Sequence, residues 1–297
     1  MNIEVILMTY NRPYHTKKVL EGIKSEGFKK LKIYLDKAIS KNDLVKQKKI
    51  KSIVNSIDWA ECVLIEREES LGLAKSITSA ISETLLENDA VIVIEDDCVP
   101  QTGFKRFMEE TLITFKNQKK VRSICGYTYP CFNPNLISED ILYLDRFCPW
   151  GWATWKDRWQ EFNYNLETII SQINNYELSI KDLDKDIDAY LSDERFVKSN
   201  MDIWSLNWIL VHYLTETLTI YPKHSLVENI GFDGSGIHSS NSKIFNVTIN
   251  GQFSIDYSKI VSNKIYINKE VNNKIKRFLE INSKMTMELN KISKGRF

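Results

Sequence analysis

The chain has 297 residues, with 40 Lys or Arg, 39 Asp or Glu and a formal net charge of +1. This length suits one large domain with or without a small appendage, and the near-neutral balance excludes a global positive field that would recruit nucleic acid. The five cysteines form no Cys-x-x-Cys pair and signal neither a disulfide framework nor a zinc site. We expect a cytoplasmic protein, since no leader peptide precedes the first strand and no stretch reaches the ~18 apolar residues of a membrane span.

The first half of the chain alternates short apolar runs with segments of helical periodicity, the order of a parallel α/β sheet. Strands are predicted at residues 3–8, 31–35, 62–65, 90–94 and 121–125. Helices are predicted at residues 16–23, 42–57, 74–86 and 104–115.

Polar side chains follow the first strands, at the edge where parallel strands face a ligand crevice. Thr9, Asn11 and Arg12 precede a helix and offer hydroxyl, amide and guanidinium donors to a phosphate or a nucleobase. Asp36 follows the second strand, where a carboxylate accepts a hydrogen bond from a base ring nitrogen. Capped loops and turns use the same residue types, so both interpretations stay open from these residues alone.

The most informative stretch is AVIVIEDDCVP, residues 90–100, in which a buried strand runs into three adjacent acids. The charges of Glu95, Asp96 and Asp97 repel one another unless a cation or hydrogen-bond donors compensate them. Hard oxygen ligands favour manganese or magnesium over zinc, and a metal here would hold a diphosphate. Acid pairs also occur on surface turns, so a metal site and a solvated turn are both open.

Four of the seven tryptophans lie within residues 150–159. The spacing of Trp152, Trp155 and Trp159 predicts a helix packed onto the sheet. Indole faces also suit the C–H face of a sugar ring, and we expect about one of the four to contact a ligand.

Two further candidates lie in the second half of the chain. Residues 166–196 predict exposed helices or a lid, and residues 200–214 predict an amphipathic helix that begins near Asp202. An acid at a helix start is usually a cap, and Asp202 also has the position of a general base. Residues 225–240 predict a glycine-rich loop whose His238 reaches a metal or a phosphate, unless it is an ordinary surface histidine.

The tail carries the charge asymmetry of the chain, since residues 264–297 hold nine Lys or Arg against three Glu. A hairpin is predicted at residues 253–267 and a basic amphipathic helix from residue 269. Such a helix suits peripheral contact with an anionic inner membrane leaflet, where a lipid-linked acceptor would lie, and suits an oligomer interface equally.

These motifs resemble those of GT-A glycosyltransferases, particularly bacterial family 2-like members and, more remotely, N-acetylglucosaminyltransferase I. The resemblance covers residues 3–245 and rests on VILMTYNRP, IYLD, the R-x-x-x-LGLA loop, VIVIEDD, PWGWATWKDRW, MDIWSLNW and LVENIGF, with His238 following. It implies an α/β GT-A fold with a Rossmann-like, mostly parallel sheet flanked by helices and a C-terminal helical extension. The implied domains are a transferase domain at 1–245, with a nucleotide-sugar half at 1–125 and an acceptor half at 126–245, and the extension at 246–297.

The resemblance also implies roles for individual residues. The acids match a DxD-type motif, in which Asp97 ligates Mn²⁺ or Mg²⁺, Asp96 contacts ribose and Glu95 contacts the donor sugar. Asp202 matches the general base of inverting members, and His238 a residue brought to the metal or the diphosphate. The remaining assignments are nucleotide or donor contacts from Thr9, Asn11, Arg12, Asp36, Arg67 and Lys75, and acceptor or sugar contacts from Trp150, Gly151 and Trp152.

The implied activity is metal-dependent transfer of a hexose or N-acetylhexosamine from a nucleotide-diphosphate sugar, with UDP favoured. The acceptor is a hydroxyl of a glycan or lipid-linked molecule in surface polysaccharide or glycoconjugate synthesis, and a single base predicts inversion. This chain departs from the family pattern at Lys37, where members often have Gly after the Asp. It departs again at residues 70–73, where members often have Asn before Gly-Leu and this chain has Ser-Leu-Gly-Leu. A retaining transferase and a non-catalytic carbohydrate-binding or scaffold protein are the alternatives, whereas the glycine-free loop TYNRPYHT disfavours a nucleotidyltransferase.

Overall fold

The structure is a computed structural model that describes residues 1–162, 165–176, 178, 184–192, 204–235, 242–251, 253–260 and 265–294. Strands and helices alternate through the first half of the chain, as the sequence predicted. The strands are β1 Ile3–Thr9, β2 Lys30–Leu35, β3 Glu61–Glu66 and β4 Ala90–Glu95, and the intervening helices are α1 Pro13–Ser25, α2 Lys41–Asn55 and α3 Leu73–Glu87.

The second half is more irregular and mixes short strands with short helices. Its strands are β5 Cys98–Pro100, β6 Val121–Cys125, β7 Ile141–Leu144, β8 Trp152–Trp155, β9 Leu218–Pro222 and β10 Val227–Asn229. Its helices are α4 Phe104–Thr114, α5 Lys156–Trp159, α6 Leu166–Asn175, α7 Lys185–Ser192, α8 Trp204–Leu214 and α9 Lys269–Lys294, with single 3-10 turns at Pro134–Leu136 and Tyr257–Lys259.

In the part of the chain that the structure describes, eight strands form one sheet in the order β3-β2-β1-β4-β8-β6-β9-β7. The pairs β3–β2, β2–β1, β1–β4 and β6–β9 are parallel, whereas β8 runs antiparallel between β4 and β6 and β7 runs antiparallel at the edge. Strands β5 and β10 form a separate antiparallel ribbon. The predicted Rossmann-like, mostly parallel α/β sheet flanked by helices is confirmed.

Strand β4 shows that the sheet is covered on both faces. Ala90, Ile92 and Ile94 belong to an apolar cluster that includes residues of α1, α2, α4 and α9. Val91 and Val93 belong to a second cluster that includes residues of α3, α6 and α8. All five side chains are fully buried because successive residues of a strand point to opposite faces. The acids that follow therefore emerge between two packed layers, at one edge of the sheet.

The helix predicted from the tryptophan spacing is wrong. Trp152 and Trp155 lie on strand β8, where they face Val93 and Ala90 of β4, and Trp159 lies on the one-turn helix α5. Trp152 packs on one face of the sheet and Trp155 on the other. Pairing with two neighbouring strands, distant in sequence, outweighed a local spacing that resembles a helix.

The C-terminal helix α9 begins at Lys269, as predicted, and packs on the sheet domain. Val271 and Ile275 are fully buried in the core, and the ring of Phe278 lies 6.2 Å from that of Tyr129. Over residues 253–260 and 265–267 the predicted hairpin does not form; a 3-10 turn and one isolated bridge between Ile267 and Tyr143 take its place. Every helix in the described ranges is too short or too polar to cross a membrane.

Candidate functional site

A cavity of about 430 Å³ opens at the carboxyl ends of β1, β2 and β4. Strands that run in parallel end at the same edge of a sheet, so loops far apart in sequence meet there. The first half of the chain contributes Thr9, Asn11, Arg12, Asp36, Ile39, Gly72, Leu73, Glu95, Asp96 and Asp97, among others, and the second half contributes Trp150, Asn229, Gly231, Phe232 and Ser235.

One guanidinium faces the acid cluster. The Nη2 atom of Arg12 donates a hydrogen bond to Asp96 Oδ1 and another, of 2.8 Å, to Asp97 Oδ2. Burial by itself lowers the pKa of Arg12, but the two aspartates outweigh it and raise that pKa above its ordinary value. Arg12 therefore stays charged and neutralises part of the cluster.

The pKa values of Glu95 and Asp96 show that Arg12 neutralises the cluster only in part. Burial, followed by the charges of Asp97 and Asp96, raises the pKa of Glu95 to about 8. Burial also raises the pKa of Asp96 to about 6, although the neighbouring Arg12 lowers it. The Glu95 carboxyl therefore holds its proton more readily than an exposed glutamate does.

The loop after β10 closes over Asp97. The backbone N–H of Ile230 donates to the Asp97 carbonyl over 2.9 Å, and Asn229 Oδ1 accepts from the Gly231 N–H over 2.8 Å. A Cβ atom at Gly231 would overlap the Asp97 carboxylate, so only glycine allows this approach. The motif LVENIGF, residues 226–232, predicted no individual role for Asn229, Gly231 or Phe232.

Asp36 fixes another part of the wall. Its carboxylate is buried and accepts hydrogen bonds from the backbone N–H groups of Leu71, at 3.0 Å, and Gly72, at 3.1 Å. These bonds hold the start of α3 against the end of β2. Asp36 thus supports the loop that lines the cavity. The sequence predicted a contact with a base for this residue and did not predict the support of the loop.

Two residues at the end of β1 and in the loop that follows it are also fixed by hydrogen bonds. Thr9 Oγ1 donates to the carbonyl of Tyr34 over 3.0 Å, and Asn11 Nδ2 donates to Asp43 Oδ1 over 2.6 Å. Hydrogen bonds from Ser40 and Asn11 lower the pKa of Asp43, which keeps it ionised and holds Asn11 in place. The sequence gave no signal that marked Asp43 as part of this site.

Several assigned residues do not line the cavity. The Arg67 guanidinium donates to Glu83 over 2.8 Å and to Ser79 over 3.0 Å, and Lys75 is exposed on the first turn of α3. Glu83 lies on the exposed face of α3 and neutralises Arg67 there. The Arg67 side chain therefore points to α3 and not into the cavity, where a contact with the donor was predicted.

The assignment of sugar contacts to the tryptophan motif is corrected in part. Trp150 lines the cavity, with its ring 5.3 Å from that of Phe232. Trp152 is fully buried and stacks on Trp204 at 5.3 Å, because the alternation of β8 directs it into the core. Gly151 has a φ of +61°, and a Cβ there would collide with Val227, so it serves packing rather than sugar contact. Asp202 and His238 lie outside the described residues.

The acid cluster fits a hard divalent cation by its chemistry. Glu95, Asp96 and Asp97 supply carboxylate oxygens, and a single guanidinium leaves them with excess negative charge. Within the described ranges no three His, Cys, Asp or Glu side chains converge as ligands of one metal ion. Mg²⁺ is commonly bound through one or two carboxylates together with water and substrate phosphates, so a site of this kind needs no such group.

Comparisons with known proteins give distant structural similarities. A mannosyltransferase from Pyrobaculum calidifontis, PcManGT in complex with GDP-Man and Mn²⁺, matches with a TM-score of 0.40 and 12% identity over 62% of this chain and 48% of its own. Mouse xyloside xylosyltransferase 1 in its apo form matches with a TM-score of 0.38 and 10% identity over 59% of this chain and 77% of its own. A putative glucose-1-phosphate thymidylyltransferase from Bacillus anthracis, in complex with sucrose, matches with a TM-score of 0.32 and 12% identity over 62% and 81%.

Two glycosyltransferases and a nucleotidyltransferase are thus among the matches. This chain spans about half the length of the mannosyltransferase. No protein-family profile matches the sequence, and no curated protein matches it.

Proposed function

We propose that this chain is a glycosyltransferase that moves a hexose or N-acetylhexosamine from a nucleotide-diphosphate sugar, with UDP favoured, to a hydroxyl of a glycan or lipid-linked acceptor. One observation carries the proposal: Arg12, the three acids and the aromatic wall of Trp150 and Phe232 line one cavity at the carboxyl edge of the sheet. Charged groups suit a diphosphate, and flat apolar rings suit a sugar.

A divalent cation, Mn²⁺ or Mg²⁺, completes the proposed site. Asp97 would hold it, together with His238 if the resemblance extends to that residue. When bound, the ion supplies positive charge where negative charge develops on the departing diphosphate.

The side chains of the cavity have complementary tasks in this proposal. The Arg12 guanidinium binds phosphate oxygens, and Glu95 contacts the donor sugar. Trp150 offers an aromatic surface to a sugar ring. Asp202 takes the proton of the attacking hydroxyl, and a single base on the face opposite the leaving group gives inversion of configuration.

Nucleotide release tests the proposal directly. The protein is incubated with UDP-, GDP- and CMP-sugars, with and without Mn²⁺, and free nucleotide diphosphate or monophosphate is measured by mass spectrometry. We expect Mn²⁺-dependent release from one donor class, lost in Asp97→Asn and retained in Asp58→Asn, which changes an exposed acid outside the cavity. Sugar or nucleotide binding without release from any donor would favour the non-catalytic carbohydrate-binding alternative.

The stereochemical part of the proposal has its own test. Asp202→Asn should lower turnover by about 10²- to 10⁴-fold while donor binding is kept. NMR of the product should show an inverted anomeric centre. Full turnover in Asp202→Asn, or a retained configuration, would favour the retaining alternative.

Peripheral membrane contact is a separate proposal for the tail. Val271 and Ile275 are already committed to the core, so any lipid-facing surface of α9 would have to come from other positions. Equal binding to anionic liposomes of the wild type and of a variant with Lys269, Lys274 and Arg277 changed to Gln, which alters only exposed positions of α9, would reject this contact.

A further inference from the structure

Arg12 lies between Asp96 and Asp97 and contacts the carboxylate to which the proposed function assigns a cation. One nitrogen, Nη2, donates to both carboxylates, and the Arg12 and Asp97 side chains are only 18% and 17% exposed. Among the cavity-lining residues that the structure describes, Arg12 is the cationic one. The guanidinium is therefore the resident counter-ion of these two acids.

The Arg12 backbone is fixed, whereas its side chain has room to move. The Arg12 carbonyl accepts hydrogen bonds from the N–H and the hydroxyl of Thr16, both at 2.9 Å, at the start of α1. The guanidinium lies at the end of a long, flexible chain and borders the cavity. A change of rotamer would carry it from the acids into the cavity, while the backbone at the start of the helix stays in place.

Arg12 and a metal ion compete for the same carboxylate. A divalent ion on Asp97 would lie close to Nη2, and the two positive charges repel. A nucleotide diphosphate changes this balance, since its oxygens are good acceptors for a guanidinium and leave Asp97 to the metal.

We propose that Arg12 couples the binding of two ligands: it blocks divalent cations from Asp97 until a nucleotide diphosphate draws the guanidinium onto its phosphates. The inference rests on the proposed function for the nature of the second ligand. By thermodynamic linkage, the cation raises the affinity for the nucleotide by the same factor as the nucleotide raises the affinity for the cation.

Mn²⁺ binding measured by EPR of the free ion tests the coupling without any turnover. Without nucleotide, Arg12→Gln should bind Mn²⁺ about tenfold more tightly than the wild type. Addition of UDP should raise the Mn²⁺ affinity of the wild type about tenfold and that of Arg12→Gln much less. The matched control is Lys17→Ala, which removes the same charge from an exposed position on α1 and should behave as the wild type.

A second substitution tests whether the tighter Mn²⁺ binding of Arg12→Gln occurs at Asp97. Asp97→Asn combined with Arg12→Gln should abolish the tighter Mn²⁺ binding. A gain that survives in this double variant lies at another site and overturns the inference. Equal or weaker nucleotide-free Mn²⁺ binding by Arg12→Gln, compared with the wild type, overturns it as well. If Arg12→Gln does not fold by circular dichroism, Arg12→Met decides by the same comparison, because it keeps the length without the charge.

The two proposals fail in different ways. If UDP, GDP and CMP all fail to bind the wild type, the proposed function is wrong. If UDP binds but Arg12→Gln and the wild type hold Mn²⁺ equally well without it, the proposed function stands and only the coupling is wrong.

Discussion

Gly231 lies against the carboxylate of Asp97 so closely that a side chain of any size would overlap Oδ2. The contact joins the loop after β10 to the acid cluster after β4, two segments that are far apart in sequence. It sets the position of the carboxylate that we assign to the metal.

Gly231→Ala should therefore displace Asp97. Because small shifts of catalytic groups are costly, we expect nucleotide release to fall by about 100-fold. The control is Gly251→Ala, since a Cβ at Gly251 meets nothing within 4 Å. Wild-type activity in Gly231→Ala, measured on a protein with an unchanged melting curve, would show that the contact does not position Asp97.

Asp36→Ala should loosen the loop at the start of α3. The substitution leaves the N–H groups of Leu71 and Gly72 without their acceptor, and hydrogen bonds to a charged group contribute about 1.5–3 kcal/mol each. We expect the free energy of unfolding in urea to fall by about 2 kcal/mol or more.

Asp36→Asn gives the matched comparison, since its one oxygen can keep part of the interaction. An intermediate stability is expected for it. If Asp36→Ala is as stable as the wild type and loses only nucleotide affinity, base contact rather than loop support is the main role of Asp36.

His212 should make the protein less stable in acid. Trp208 Nε1 donates to Ser123 Oγ over 2.9 Å, so the serine hydroxyl is free to donate to His212 Nε2, 2.8 Å away, and the ring is neutral. Burial and then the charge of Arg122 lower the pKa of His212 from 6.5 to about 3. The unfolded chain therefore binds one more proton than the folded chain between these two pH values.

This extra proton on the unfolded chain sets the direction in which the free energy of unfolding changes with pH. Stability from His212 is fully present above pH 6.5 and falls, by about 1.4 kcal/mol per pH unit at most, as the pH drops towards 3. His212→Gln should reduce the slope of unfolding free energy against pH in this window by about one proton. Parallel profiles for the two proteins would contradict a neutral buried His212.

Trp150 and Trp152 should respond differently to truncation, although only Gly151 separates them. Trp152→Ala removes a fully buried ring and should cost about 3–5 kcal/mol of unfolding free energy. Trp150→Ala should cost less stability and raise the KM for donor or acceptor about tenfold, through lost contact with the sugar. Similar melting temperatures for both variants would contradict this division between core and cavity.

The first half of the fold was predictable because its signals are local. Each apolar run from Ile3 to Ile94 is too short for a helix, and the strands pair with their sequence neighbours or across one crossover. Strand β8 was not predictable in this way, since Trp152 and Trp155 are fixed by β4 and β6 rather than by adjacent residues.

The same distinction applies to the site. Residue types at strand ends indicated Arg12, Asp36 and the acids, because the edge of a parallel sheet collects them. Their partners depend on contacts between distant segments: Arg12 with Asp97, or Asp36 with Leu71. Only the folded chain shows that Arg67 turns to Glu83 instead.

The position of Trp150 also has a spectroscopic consequence. Trp152, Trp155, Trp159, Trp204 and Trp208 are each at most 5% exposed, and Trp59 is partly buried against the core at a position outside the cavity lining. Trp150, by contrast, borders the cavity. The emission of the tryptophans that do not line the cavity should not change when a ligand binds, so it should form a constant background. A ligand that fills the cavity should quench or shift the emission of Trp150, so the protein carries an intrinsic fluorophore for titrating its own occupancy.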